Sequence, residues 1–333
     1  MTFLLLIFSL LSRFGSQVKN VLYDLGVFKP KIAPLPVISV GNIALGGTEK
    51  TPLVIELLTR LQDKGFRPAL VSRGYKGRWE RRGGVLSDAK KILGTWEEGG
   101  DESFLVAQNL PRVGVFVGKD RMSSCVRAKE SGFSIVVLDD GFQHRRLGRD
   151  LDIVLYSPRE KMALRESRRA LKRADVCLVK KGDEDGVERG TIRRVFFKDI
   201  FAYSVISQGF YFVLGPEAVP VERLAKKKIL AFCGIARPQR FLAQARESGL
   251  DVVSFLTFPD HYVYPQPSLD KIVRAFREAG AEAAVTTEKD GVKITARRSF
   301  LKSIPVFYLK IGLRVEPGFY EKINAFLEKK DKP

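Results

Sequence analysis

The sequence predicts an α/β fold in which helices cover both faces of a mostly parallel sheet. From about residue 36 onward, short β-branched runs alternate with amphipathic segments, as in the strand–helix units of a parallel sheet. A glycine-rich turn joins the first of these strands to the first helix, and a later strand ends in two aspartates. Together these observations predict a sheet with a phosphate-binding loop at the end of one strand. The alternation of strands and helices resumes later in a smaller second α/β unit.

The first block of strands follows from short apolar runs rich in valine and isoleucine. Between the first two strands, the segment Thr51–Lys64 carries apolar residues at helical spacing, which predicts a helix with one buried face. We expect strands at Val37–Val40, Ala69–Ser72, Val113–Val117, Ile135–Asp139, Ile153–Tyr156 and Val176–Lys180.

A second block of the same kind begins near Lys226. Between the blocks, Val195–Leu214 is rich in aromatic and β-branched residues, and we interpret it as a β-ribbon linker. We therefore expect an N-terminal helix at 1–28, a first α/β domain at 29–185, a linker at 186–224 and a second α/β domain at 225–333. The second block is expected to contain strands Ile229–Cys233, Val252–Phe255, Ala283–Thr287 and Val306–Leu309, and helices Gln239–Glu247 and Leu269–Glu278.

Composition limits the classes of protein that the chain can belong to. With 333 residues, 45% of them hydrophobic and 29% charged, the chain is globular rather than disordered or fibrous. Its formal net charge of +19 indicates an anionic partner, which could be nucleic acid, a membrane surface or a phosphorylated substrate, although a solvated basic surface remains an alternative. No nucleic-acid-binding module is recognisable, so nucleic acid ranks last. The three cysteines are isolated in apolar surroundings, which indicates free thiols in a reducing compartment.

The N-terminus predicts a helix at a membrane surface. Residues 3–12 are uncharged and mostly apolar, but a run of this length is too short to cross a bilayer. No basic residue precedes it, unlike in a signal peptide. Apolar residues continue at Phe14, Val18 and Val21 with Lys19 between them, a pattern that suits a helix lying in the interface. A helix packed against the protein's own core is the alternative.

The strongest chemical signal is the turn between the first strand and the first helix, which reads as a P-loop. The backbone N–H groups of such a loop cradle phosphates, its lysine reaches the outer phosphates and the following hydroxyl ligates Mg²⁺. Lys50 and Thr51 occupy these last two positions, and Glu49 stands where the usual pattern has glycine. Glu49 adds a Cβ and a carboxylate near the phosphates, so a glycine turn without chemical consequence remains the alternative. The expected nucleotide-binding residues are Gly46, Gly47, Thr48, Glu49, Lys50 and Thr51.

The strand Ile135–Asp139 and the following Asp140 predict the acidic partner of this loop. In P-loop NTPase-like folds, a buried strand that ends in aspartate contributes to the Mg²⁺ site. Successive side chains of a strand point to opposite faces, so one of the two carboxylates is expected on the metal side, and the sequence leaves open which. Thr51, Asp139 and Asp140 are thus the candidate metal ligands.

With these elements in place, the chain resembles the tetraacyldisaccharide 4'-kinase (lipid A 4'-kinase) family from about Leu22 to about Lys293. The order and spacing of several short motifs carry this resemblance. The motifs outside the phosphate loop are Leu22-Tyr23-Asp24, Ser72-Arg73-Gly74-Tyr75, Gly100-Asp101-Glu102, the run 139–155, Leu164-Arg165-Glu166, Phe258-Pro259-Asp260-His261-Tyr262, Thr286-Thr287-Glu288-Lys289-Asp290 and Val292-Lys293.

The resemblance implies a phosphotransferase that uses ATP and Mg²⁺ to phosphorylate the 4'-hydroxyl of a tetraacylated glucosamine disaccharide 1-phosphate, a lipid A precursor. It also implies a monotopic protein at the cytoplasmic face of the bacterial inner membrane, in contact with an anionic surface, whose second domain closes over the site. We expect a monomer.

The resemblance also assigns roles to residues. It implies that Asp101 and His261 form a dyad that accepts the hydroxyl proton, with Lys50 as the third catalytic residue. Lys289 and Asp290 are expected to support the nucleotide or the domain interface. We expect the substrate to be bound by Arg73, Arg121, Gln143 and Arg165.

Three positions depart from the family pattern. Glu49 replaces the glycine before the lysine, Ser103 replaces a proline, and residues 160–162 replace a Pro-Ala-Gly segment. The alternative function is therefore a catalytically impaired, lipid-binding relative of the kinase.

Overall fold

The computed structural model describes residues 19–44, 49–157, 164–181, 196, 198–215 and 217–330. Within these ranges, no helix is long and apolar enough to span a bilayer. Of the predicted N-terminal helix, residues 19–24 are helical and the part before Lys19 lies outside the described residues. Gly46, Gly47 and Thr48 of the predicted phosphate loop also lie outside them.

In the part of the chain that the structure describes, thirteen strands form one continuous mixed sheet. Their order is β11-β10-β12-β13-β8-β7-β6-β1-β5-β2-β4-β3, with β9 added beside β8. All neighbours are parallel except the pairs β3–β4, β8–β9 and β8–β13. The predicted mostly parallel sheet is therefore confirmed. The strands are β1 (Val37–Asn42), β2 (Pro68–Ser72), β3 (Gly84–Asp88), β4 (Gly114–Val117), β5 (Ile135–Asp139), β6 (Leu151–Tyr156), β7 (Val176–Lys180), β8 (Asp199–Phe212), β9 (Ala218–Val219), β10 (Lys228–Cys233), β11 (Asp251–Thr257), β12 (Ala283–Thr287) and β13 (Val306–Val315).

Helices connect most of these strands, and a 3₁₀ helix covers Arg168–Arg173. The predicted helices of both blocks are present with ends shifted by at most three residues. The helices are α1 (Lys50–Asp63), α2 (Trp79–Arg82), α3 (Trp96–Gly99), α4 (Asp101–Asn109), α5 (Arg121–Glu130), α6 (Glu222–Ala225), α7 (Pro238–Glu247), α8 (Gln266–Glu278), α9 (Glu288–Ile294), α10 (Arg298–Ser303) and α11 (Pro317–Glu328).

Helices cover both faces of the sheet because alternate residues of each buried strand point in opposite directions. In β1, Ile38 and Val40 pack towards the buried face of α1, whereas Val37 packs on the opposite side with residues of α5. In the second block, Phe232 of β10 packs with α8 on one side and Ala231 packs with α7 on the other. Such strands read as continuous apolar runs, which is why the sequence predicted them well.

Besides strands β3 and β9 and several short helices, which were not predicted, two larger features of the architecture differ from the expectation. The segment interpreted as a β-ribbon linker forms β8, a strand of 14 residues that pairs in parallel with β7 and antiparallel with β13. Helix α11 returns from the end of the chain to the first block, where Phe319 is fully buried with the apolar face of α1. The two blocks thus share one sheet, and β13 and α11 of the second block contribute to the core of the first. The division into domains stays a prediction.

Candidate active site

A cleft of about 1540 Å³ contains residues from both blocks. The ends of β1, β2 and β5 lead into it from the first block, and the segments after β10, β11 and β12 lead into it from the second. Carboxyl ends of parallel strands are the usual position of ligand sites in open α/β sheets. The cleft is therefore the candidate active site.

Helix α1 begins at Lys50 and places the predicted phosphate-binding lysine in the cleft. The Nζ atom of Lys50 lies 3.0 Å from Oδ1 of Asp140 and 3.4 Å from the side-chain oxygen of Asn42. Thr51 and Pro52 also line the cleft. A cation at the start of a helix, next to free backbone N–H groups, forms a site for anions such as phosphate.

The two aspartates at the end of β5 have different partners. Both oxygens of Asp140 lie beside cations, Oδ1 beside Lys50 and Oδ2 at 2.7 Å from Nη1 of Arg165. Oδ2 of Asp139 accepts a long hydrogen bond of 3.4 Å from Ser72, whereas its Oδ1 atom is buried and has no hydrogen-bond partner among the described residues.

The pKa values of these two carboxyl groups shift in opposite directions. Burial raises the pKa of Asp139 to about 7, and the neighbouring carboxylate of Glu102 adds to this shift. Burial also acts to raise the pKa of Asp140, but Lys50 and Arg165 outweigh it and hold that pKa well below its usual range. A carboxyl group that burial keeps protonated near neutral pH is stabilised in its charged form by an added cation.

Asp101 and His261 meet across the cleft from different blocks. The Nδ1 atom of His261 lies 2.9 and 3.0 Å from the two carboxylate oxygens of Asp101. Asp101 begins helix α4 and is 5% exposed, and His261 follows β11 with a positive φ of 60°. A carboxylate only accepts, so Nδ1 carries the proton, and in the neutral imidazole Nε2 is then the nitrogen with the lone pair.

The surroundings of Asp101 keep it ionised. Burial acts to raise its pKa, but Lys289, the hydrogen bond from His261, and Lys293 outweigh it and hold the pKa well below its usual range. Lys289 lies 2.9 Å from Glu102 and 3.4 Å from Nε2 of His261. The Nε2 atom of His261 therefore lies beside an ammonium group in the cleft.

The four predicted substrate-binding residues all line the cleft: Arg73, Arg121, Gln143 and Arg165. Arg73 lies 2.5 Å from a carboxylate oxygen of Glu80 and is partly exposed. Arg121 is 4% exposed, and its guanidinium donates to two backbone carbonyls of the preceding turn. Gln143 donates to the backbone oxygen of Asn42.

The Glu49 carboxylate is bound by several side chains. One oxygen lies 3.2 Å from Lys180 and 2.8 Å from Arg240, and the other accepts a hydrogen bond of 3.3 Å from Tyr203. The side chain is 11% exposed, and the backbone has the left-handed φ of 52° that favours glycine. Two cations therefore balance this carboxylate beside the phosphate loop.

Comparison with known proteins relates this geometry to a family. The profile of the family described as Tetraacyldisaccharide-1-P 4'-kinase matches residues 1–328. The chain belongs to this family. The predicted resemblance is thus confirmed, and with it the enzyme class of the family, a kinase that transfers phosphate to a hydroxyl group.

Individual relatives agree with the family match. The tetraacyldisaccharide 4'-kinase of Syntrophus aciditrophicus is 38% identical over 94% of this chain and 89% of its own length. That of Desulfotalea psychrophila is 35% identical over 92% of this chain and 91% of its own length. The crystal structure of the "apo" form of LpxK from Aquifex aeolicus in complex with ATP aligns with a TM-score of 0.76, 30% identity and coverage of 98% of both chains. These comparisons give no support to the alternative of a catalytically impaired member of the kinase family.

Several members of the site in this 4'-kinase chain carry no role in the sequence-based interpretation. Asn42 beside Lys50, Glu102 beside Lys289, and the buried Lys293 belong to this group. Asp290 and Lys293 lie three residues apart, which on a helix predicts contact between their side chains. That spacing was the available signal for Lys293, but nothing local to it indicates Asp101 as the second partner.

We expect Glu49 to stabilise this fold rather than to bind nucleotide. Glu49→Gln keeps the size of the side chain but removes the charge that balances Lys180 and Arg240. The free energy of unfolding should fall by about 1.5–3 kcal/mol, as for the loss of hydrogen bonds between charged groups. Denaturant unfolding checks this, with the exposed Glu97→Gln as the control. An unchanged midpoint, or a large loss of Mg-ATP affinity by calorimetry, contradicts this role.

Proposed function

We propose that this protein transfers the γ-phosphoryl group of ATP to the 4'-hydroxyl of a tetraacylated glucosamine disaccharide 1-phosphate. Membership of the 4'-kinase family supports the reaction, and the Asp101–His261 contact across the cleft is the observation that carries it to this chain. The cleft also has Lys50 at the start of α1, beside the position expected for the phosphates.

The dyad supplies a base for the acceptor hydroxyl. Sugar hydroxyls are weak nucleophiles at neutral pH, so a positioned base is needed. Asp101 holds the proton of His261 on Nδ1, and the Nε2 lone pair accepts the hydroxyl proton as the oxygen attacks the γ-phosphorus. The bond from the γ-phosphorus to the bridging oxygen breaks, and ADP leaves. Asp101 stabilises the imidazolium that forms.

Charge neutralisation is the second requirement of phosphoryl transfer. Lys50 occupies the position of the P-loop lysine that reaches the outer phosphates. Arg165, which contacts Asp140, can reorient towards an anion in the same cleft. Arg73, Arg121 and Gln143 line the cleft as further candidates for binding the phosphorylated substrate.

The acidic end of β5 suits Mg²⁺, which prefers carboxylate and hydroxyl oxygens. The buried Oδ1 of Asp139 lacks a partner among the described residues, whereas the oxygens of Asp140 face two cations. We therefore assign Asp139 to the metal side, with the hydroxyl of Thr51, and Asp140 to the orientation of Lys50. When bound, Mg²⁺ supplies neutralisation of the phosphate charge.

The dyad is tested by its removal. His261→Ala and Asp101→Asn should each lower kcat by about 10²–10⁴-fold, the usual contribution of a general base. The measurement is transfer of radiolabelled γ-phosphate from ATP to the disaccharide lipid in detergent. Asp63→Asn, at the exposed end of α1, is the control and should act as wild type. Near-wild-type turnover in His261→Ala removes this residue from the mechanism.

We also infer that the protein works at an anionic membrane surface, on the cytoplasmic face of the inner membrane. Residues 19–24 form a helix that is fixed to the first block by Arg145, which donates to the backbone of Asn20 and pairs with Asp24 at 2.8 Å. This helix and the segment that follows it expose large apolar side chains. Large hydrophobic side chains with 44–92% exposure are found at Val21, Leu25, Val27, Phe28 and Ile32.

This patch lies close to the cleft and carries basic neighbours. Lys19 and Tyr23 of the same helix line the cleft, and Lys29 and Lys31 stand between the exposed apolar residues. Apolar side chains mixed with lysines suit insertion at the boundary between headgroups and acyl chains. An acylated disaccharide could then enter the cleft from the bilayer surface.

We expect the patch to contribute to membrane binding. The triple change Leu25→Asp, Val27→Asp and Ile32→Asp should weaken sedimentation with vesicles containing an anionic lipid by at least about tenfold, because each buried apolar side chain contributes about 1.5–3 kcal/mol. Val253→Asp, an exposed valine of β11 that is 41% exposed, serves as the control. Unaltered binding of the triple variant would assign the contact to another surface.

A further inference from the structure

Helix α9 contributes a buried ion pair directly behind the dyad. Lys293 is 1% exposed and Asp290 is fully buried. The Lys293 ammonium lies 3.2 Å from Oδ1 of Asp290 and also 3.2 Å from Oδ2 of Asp101. Removing two charges from water costs several kcal/mol per ion, so such a group calls for a reason beyond packing.

The other oxygen of Asp290 leads to the second member of the dyad. Oδ2 accepts hydrogen bonds from the backbone N–H of Gly234 at 2.9 Å and from the Thr287 hydroxyl at 2.7 Å. The carbonyl of the same Gly234 accepts the backbone N–H of His261 at 3.1 Å. The contacts thus run from Asp101 through Lys293, Asp290 and Gly234 back to His261.

This series of contacts reaches Asp101 through its side chain and His261 through its backbone. Lys293 binds the Asp101 carboxylate, and Asp290 orders the turn that supports the backbone of His261. That backbone has a positive φ of 60°, which non-glycine residues adopt only when the surroundings impose it. Asp101 and His261 come from different blocks, so their distance depends on a connection of this kind.

We propose that Lys293 and Asp290 are positioning residues for phosphoryl transfer, which hold the Asp101 carboxylate and the His261 backbone so that Nε2 faces the acceptor hydroxyl. This inference rests on the proposed role of the dyad. Neither Lys293 nor Asp290 needs to touch the substrate, because both are buried behind Asp101 and His261.

Lys289 does not duplicate Lys293. Its ammonium lies 3.9 Å from Asp101 but 2.9 Å from Glu102, and its side chain is 17% exposed in the cleft. Asp260 lies 3.8 Å from the same Nε2 atom of His261 that Lys289 approaches. The Tyr75 ring packs edge-on against the His261 ring. Lys293 is therefore the fully buried cation on the Asp101 side.

The two residues should shift the pH dependence of the reaction in opposite directions. Lys293→Met removes a buried cation, which raises the proton affinity of the Asp101–His261 pair and moves the acidic limb of kcat/KM to higher pH. Asp290→Asn removes an anion and leaves Lys293 with Asp101 alone, so the same limb moves to lower pH. We expect shifts of about one pH unit, within the usual range for one neighbouring charge. The kcat of Lys293→Met should fall at least about tenfold, with the KM for ATP within about threefold.

Controls separate this role from a purely structural one. Lys322→Met breaks an ion pair of 2.7 Å with Asp199 on another part of the surface and should leave the pH profile unchanged. If Lys293 and Asp290 had only a structural role, their substitution would lower the folded fraction without shifting the acidic limb of kcat/KM. Unshifted pH profiles of kcat/KM in both variants therefore overturn the proposal. If Lys293→Met does not fold, the Asp290→Asn variant still tests the proposal. An acidic limb of its kcat/KM that stays at the same pH or moves to higher pH overturns the proposal. A fully active His261→Ala variant would instead reject the dyad itself.

Discussion

The contact between Asp101 and His261 is the interaction on which the active site depends, because it joins groups from two distant parts of the chain. Asp101 starts a helix of the first block, and His261 follows a strand near the opposite edge of the sheet. Strand β8 connects the blocks through hydrogen bonds to β7 and β13, and α11 packs the end of the chain into the first core. The proposed general base is therefore assembled only when both blocks are folded together.

Charge balance around buried carboxylates is the second constraint on the site. Asp101, Asp140 and Glu49 each contact at least one cation, whereas Asp139 has an oxygen without a partner among the described residues. Buried carboxylates normally need such partners, and the exception is therefore where we assign a metal ligand. Glu49 shows how the chain accommodates a departure from the glycine of the loop: Lys180 and Arg240 balance its charge.

The sequence predicted the strands of the two blocks because their buried runs need no distant information. It also predicted that Lys50, Asp101 and His261 belong to one site, and all three line one cleft; their catalytic roles stay a prediction. Strand β8 was taken for a linker because its antiparallel partner β13 lies far along the chain, so nothing local to the segment indicates that it joins the sheet. The role of Lys293 depends on Asp101, which lies far from it in sequence, so its spacing from Asp290 revealed half of its contacts.

In the proposed mechanism, Asp101 fixes the proton of His261 on Nδ1 and leaves Nε2 unprotonated, so that it can act as a base. The chain has two histidines, so nitrogen NMR of protein labelled with ¹⁵N-histidine can resolve His261, with His144→Gln to assign the signals. At a pH where the imidazole is neutral, we expect a protonated Nδ1 and an unprotonated Nε2, and a loss of this preference in Asp101→Asn. A neutral His261 with its proton on Nε2 would contradict the role of Asp101 in fixing that proton on Nδ1.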